Sequence, residues 1–119
     1  MNHSVKLALM LTAIMSVVGC QSAPKTLYQW ESYQPQVYEY LKGEPKEAQI
    51  EALERDLQKI SASGRMVPPG YHAHLGMLYL ASGKDDQMVQ QFSTEKALFP
   101  ESAPYMDFLL KNAKTGGAK

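Results

Sequence analysis

Cys20 is the residue in this chain most committed to a single chemistry. It follows Val17, Val18 and Gly19. A branched apolar residue, then small residues, then cysteine form a bacterial lipobox, in which the thiol takes a diacylglycerol and the mature chain then begins at the acylated cysteine. Cys20 is therefore expected to carry diacylglycerol and palmitate and to act as an anchor, and as the only cysteine it has no disulfide partner. His72 and His74 are the sharpest candidate metal ligands, since two imidazoles on one face bind a transition metal. On a helix, however, residues two apart point to nearly opposite sides, so the plainer expectation puts one histidine against the Pro68-Pro69 turn and the other in water. Asp85 and Asp86 form an adjacent acidic pair, which a helix N-terminus explains more simply than general acid and base catalysis. The sequence contains no HExxH, GxSxG, phosphate-loop or calcium-loop pattern. No catalytic residue, metal ligand set or cofactor is assigned, and the chain is read as no enzyme.

The segment before Cys20 suits an export leader over residues 1–19. Lys6 supplies a positive start, Leu7 to Met15 is a short apolar run, and no acidic residue precedes Glu31. Residues 20–27 are read as a lipidated tether. About 100 residues follow the leader, enough for one small domain with one core. Formal net charge is +0, with no basic stripe of the kind nucleic acid requires, so nucleic acid is not an expected partner. The expected partner at the anchored end is the membrane, through the lipid on Cys20. Gln21 stands where an aspartate commonly retains lipoproteins in the inner membrane, which favours the outer membrane and its periplasmic face.

What must position any site over residues 28–113 is helical. Apolar residues recur at steps of three and four, and the fold class is read as all-α, with about five helices in antiparallel hairpins. Helices are expected at about 34–42, from Pro45 to Gly64 with Ile50, Leu53, Leu57 and Ile60 on one face, and at 71–82. A fourth begins near Asp85 and buries Met88, Val89 and Phe92. A fifth starts at Ser102 to Pro104 and offers Tyr105, Met106, Leu109 and Leu110. Glu51 and Arg55 are placed to pair on the outer face of the second. Residues 114–119 have nothing to bury and are expected to be a disordered tail.

Leu75, Gly76, Tyr79, Gly83, Phe92 and Pro100 sit at the offsets of a tetratricopeptide repeat running from about Pro69 to Ser102. In that pattern Gly76 lets two helices approach, Tyr79 and Phe92 fill the wedge between them, and Pro100 stops the second. Met88 and Glu95 stand where the repeat usually has alanine. Upstream, Tyr28, Trp30, Tyr33, Tyr38 and Tyr40 crowd into thirteen residues. They are read either as a lid on the hairpins or as a partner-binding surface beside the tether, since Tyr and Trp carry much of the energy at interfaces. The groove of the hairpins is a second place for a peptide.

The run Tyr28-Gln29-Trp30-Glu31-Ser32-Tyr33, with Tyr38-Glu39-Tyr40-Leu41-Lys42, Pro69-Gly70-Tyr71, Leu75-Gly76 and Tyr79, resembles a family of small Gram-negative lipoproteins classed as a domain of unknown function. In that family the motif is commonly Tyr-x-Trp-Gly-x-Tyr. Glu31 replaces the glycine, so the backbone there is expected to need no glycine-only conformation. The resemblance implies encoding beside two other lipoproteins, one of them similar to the curli-secretion channel, and hence a place in an outer-membrane lipoprotein assembly. The leading expectation is a non-enzymatic, lipid-anchored adaptor with other outer-membrane lipoproteins as partners. The alternatives are a small-ligand or metal-binding module using His72 and His74, and an enzyme with an unrecognised site. Oligomeric state carries no sequence signal.

Overall fold

The computed structural model describes residues 2, 3 and 26–116. The leader, the lipobox residues Val17, Val18, Gly19 and Cys20, the tether as far as 25 and residues 117–119 lie outside the described residues. Five α-helices follow one another from residue 33 to residue 116, and the all-α expectation holds. They are α1 (Tyr33–Lys42), α2 (Lys46–Ser63), α3 (Tyr71–Ala81), α4 (Asp85–Leu98) and α5 (Ala103–Gly116). A single 3₁₀ turn, Pro100–Ser102, joins the last two.

Gly43 and Gly64 end α1 and α2 in left-handed conformation, the backbone region in which an L side chain is strained. Along α2 the spacing of Ile50, Leu53 and Ile60 does what three-and-four periodicity requires, and these residues are buried with Leu57 packed at their edge. Glu51 and Arg55 do not pair. Both lie on the wet face, where such a bond contributes little.

The third helix is the centre of the fold. It buries Tyr71, His72, His74, Leu75, Gly76, Leu78 and Tyr79, which lie on nearly every side of the helix. One flank meets α4 and the other meets α1 and α2, so an amphipathic pattern is neither present nor needed. Gly76 touches Phe92, His72 reaches Gln91 and the first turn of α3 reaches Glu95, which fixes α3 and α4 as antiparallel neighbours. Leu75, Tyr79 and Phe92 are core residues, whereas Gly83 is an exposed left-handed turn and Pro100 an exposed 3₁₀ residue.

Three assignments change. Val89 is exposed and Glu95 takes the third buried position of α4 with Met88 and Phe92, a four-and-three spacing that places all of them toward α3. Tyr105 faces outward, and α5 seats itself through Met106, with Leu109, Leu110 and Ala113 at the margin. The same helix continues to Gly116, with the Thr115 hydroxyl donating to the Lys111 and Asn112 carbonyls, so residues 114–116 are helical rather than part of a disordered tail.

Ahead of α1 the chain is extended, and Tyr28 forms an isolated parallel bridge with Met66, in which the Gln29 amide donates to the Met66 carbonyl at 2.9 Å. Helical periodicity carries no sign of such a pairing. Glu31 then turns the chain with φ +41°, a left-handed conformation. The glycine-favouring backbone is kept although the glycine is not, correcting the expectation. A left-handed L residue costs about 1–2 kcal/mol. The carboxylate lies 3.8 Å from Lys59 in an exposed pair of little worth, and glycine brings its own unfolded-state entropy. Glu31→Gly is expected to raise stability by about 0.5–1 kcal/mol in urea denaturation, whereas Glu31→Val is expected to lower it.

Candidate functional site

The aromatic segment at 28–40 is held in place by a carboxylate from another helix. Asp56, on α2 and almost fully buried, accepts hydrogen bonds at Oδ2 from the Ser32 amide, at 3.0 Å, and from the Ser32 hydroxyl. Its Oδ1 lies 3.6 Å from the Lys59 ammonium. Ser32 is the residue before α1, so Asp56 caps that helix from outside, and the negative charge sits at the positive end of the helix dipole. Glu95 plays the same part for α3. Its Oε1 accepts from the Gly70 amide at 2.6 Å and its Oε2 from the Ala73 amide at 3.2 Å.

With α1 so oriented, the five aromatics divide. Tyr33 stacks on Tyr71, centroids 5.2 Å apart and planes at 30°, and meets the edge of His74 at 6.0 Å. Tyr40 crosses His74 at 5.3 Å and 89°. Tyr28 lies edge-on to Phe99 at 6.2 Å. Those three are packing residues. Trp30 remains 40% exposed although its ring is 6.0 Å from Tyr33, and Tyr38 is 63% exposed with the Lys42 ammonium 5.4 Å from its ring centre. Leu41, three residues beyond Tyr38 on the same side of α1, is 76% exposed. Residue type does not mark Leu41; its three-residue spacing from Tyr38 is the signal that places it on the same side.

Neither histidine is in water. His72 bonds through Nδ1 to Gln91 Oε1 at 2.6 Å and helps line a shallow groove of about 290 Å³ with Leu57, Met66 and Leu98. On the opposite side of α3, His74 is buried against Tyr33 and Tyr40, and its Nε2 has no hydrogen-bond partner. The helix being covered all round explains both. The two imidazoles share no face, and among the described residues no three His, Cys, Asp or Glu side chains converge on a point. Asp85 and Asp86 occupy the first turn of α4.

Burial is also the dominant electrostatic influence here. It raises the Tyr33 phenol, with the Glu95 charge adding to the effect, and it raises Tyr71, whose hydroxyl donates to the Leu53 carbonyl at 2.7 Å. Burial lowers His74 below the ordinary 6.5. The unfolded chain therefore takes up a proton at this residue before the folded chain does, and stability falls as pH drops from about 6.5 through the folded value. His74→Phe, similar in shape and unable to titrate, is expected to flatten the pH dependence of the urea midpoint over that window. An unchanged slope would assign the effect to other groups.

No curated protein and no solved structure matches the chain. A family model does, over residues 27–109, from the residue before Tyr28 to the turn of α5 that holds Leu109. The segment that α2 and α4 hold in place and the core that carries it thus lie within one family, described as a domain of unknown function (DUF4810), and the chain belongs to it.

Proposed function

We propose that the chain is a lipoprotein adaptor, anchored by acylated Cys20 to the periplasmic face of the outer membrane, and that its helical domain binds other outer-membrane lipoproteins. The observation that carries this reading is the division of the aromatic segment. Trp30, Tyr38 and Leu41 stay exposed while Tyr28, Tyr33 and Tyr40 fix their scaffold, which is how a rigid, preorganised interface is built. The tether favours the same surface. From residue 20 to residue 26 an extended chain spans at most about 20 Å, so the start of the domain stays close to the anchor. No helix among the described residues is long and apolar enough to cross a membrane, and the lipid is the proposed attachment.

The close packing of Gly76 with Phe92, and the burial of Leu75 and Tyr79 at the same offsets, support a tetratricopeptide-like hairpin as the scaffold. The proposed neighbour with curli-channel similarity rests on the sequence resemblance. Cys20→Ser is expected to abolish fatty-acid labelling. With Cys20 intact, a Trp30→Ala, Tyr38→Ser, Leu41→Ser triple variant is expected to lose at least about tenfold of lipoprotein partner yield after crosslinking in membranes, because the few interface residues that cost about 2 kcal/mol or more when truncated are enriched in Trp and Tyr. Its thermal midpoint should stay near wild type. Undiminished recovery of partners, or loss of binding that only follows unfolding, would overturn the surface.

A further inference from the structure

The outward face of α5 carries two large exposed aromatic side chains among its polar residues, where the outside of a terminal helix is ordinarily polar throughout. Tyr105 and Phe108 are 55% and 57% exposed, and their rings stack with centroids 6.5 Å apart and planes at 15°, forming one flat aromatic plate. The helix turns its other side, Met106, Leu110 and Ala113, to the core. At 100° per residue, Pro104, Phe108, Lys111 and Thr115 form the outer stripe, with Tyr105 and Asn112 along one border and Asp107 along the other.

The charges along this stripe are ordered. Glu101 and Asp107 lie toward its beginning, Lys111 and Lys114 toward its end. Two copies of α5 crossing antiparallel at Phe108 would bring the two aromatic plates together. Helical arithmetic then sets Asp107 beside the partner's Lys111, and Tyr105 beside the partner's Asn112, each contact occurring twice about the two-fold axis. Asp107 also pairs with Lys96 of its own chain, which holds the carboxylate on this border. With formal net charge close to zero, no large overall repulsion opposes association of two copies.

We infer that the Tyr105–Phe108 face of α5 is a self-association surface, which joins two copies of this chain in an antiparallel, two-fold α5 pair. One helix against one helix buries less than the standard protein interface, so the dimer is weak in dilute solution. This surface is separate from Trp30, Tyr38 and Leu41, and the inference stands or falls independently of the adaptor reading.

The test uses the full chain in its native membranes. A Phe108→Cys variant, exposed to a mild oxidant, is expected to form a disulfide-linked species of twice the monomer mass, shown by mass spectrometry to contain only this chain. Val89→Cys, exposed on α4, is the control and should remain monomeric. Sedimentation of the otherwise unaltered chain in density-matched detergent gives the second reading. There Phe108→Glu should weaken association at least about tenfold by burying two unpaired carboxylates, and Lys111→Glu should weaken it about threefold to tenfold by facing the partner's Asp107. A Phe108→Cys chain that forms no disulfide or forms one with a different protein, equal crosslinking of the control, or sedimentation unaffected by Phe108→Glu would each overturn the inference. A Phe108→Glu chain whose helical content falls is replaced by Tyr105→Glu on the same plate, read in the same way.

Discussion

Replacing Glu95 by alanine is expected to cost about 3 kcal/mol of folding stability, the sum of a lost charged hydrogen bond and of backbone amides left without an acceptor. Glu95 is 2% exposed, and its two oxygens take the Gly70 and Ala73 amides at the start of α3. That start cannot cap itself. Its N-cap is glycine, with φ +91° and no side chain to offer, because the Tyr33 hydroxyl lies 2.9 Å from where a β-carbon would stand. The cap is supplied from α4, and with it a negative charge at the positive end of the helix dipole. Glu95→Gln retains one acceptor oxygen and loses the charge, so about half the cost is expected. Urea denaturation measures both. Hydrogen exchange separates them from a general loosening, since the Gly70 and Ala73 amides should lose protection before the core of α3 does. Equal loss of protection along the whole helix would show that the carboxylate is not acting as a cap.

Gly76→Ala is expected to destabilise by about 2–3 kcal/mol, through overpacking. In an exposed helix interior the same change gains about 0.5–1 kcal/mol, so the sign itself is diagnostic. A β-carbon at Gly76 would stand 2.5 Å from Cε1 and 2.6 Å from Cδ1 of Phe92, and 3.3 Å from Cβ of Gln91. Phe92 is wholly buried and has no free volume into which to retreat. Either α3 and α4 move apart or the ring leaves its rotamer. Phe92→Leu alone is expected to cost more than 1 kcal/mol, and combined with Gly76→Ala it should cost less than the two changes added, because the smaller side chain clears the clash. Strict additivity in that cycle would mean that the helices are not held apart by this contact.

Part of this fold is legible in the sequence and part is not. Gly43, Gly64, Gly83 and the Pro68-Pro69 pair punctuate the chain so clearly that all five helices could be drawn within about three residues at each end. The Gly76–Phe92 contact was legible too, because a glycine and an aromatic at repeat spacing have few other reasons to be there. The two capping carboxylates were not. Asp56 serves an amide 24 positions earlier and Glu95 one 25 positions earlier, and no local pattern encodes a cap contributed across such a distance. The burial of both histidines escaped for a related reason. Helical arithmetic correctly put them on opposite sides of α3, but that both sides are covered depends on how α1, α2 and α4 assemble around it. The exposed part of the aromatic segment was likewise hidden, since Tyr38 and Tyr40 are two positions apart and only the docking of α1 decides which is turned inward.

The bridge between Tyr28 and Met66 has a mechanical consequence. A pull entering at residue 26 reaches that bridge before it reaches α1, and the Gln29 amide hands the load to the carbonyl of Met66, in the turn between α2 and α3. Tyr28 against Phe99 shares it with the end of α4. Tension is thereby routed into the middle of the chain, and α1, the only one of the five helices with no fully buried residue, is spared until this clasp gives way.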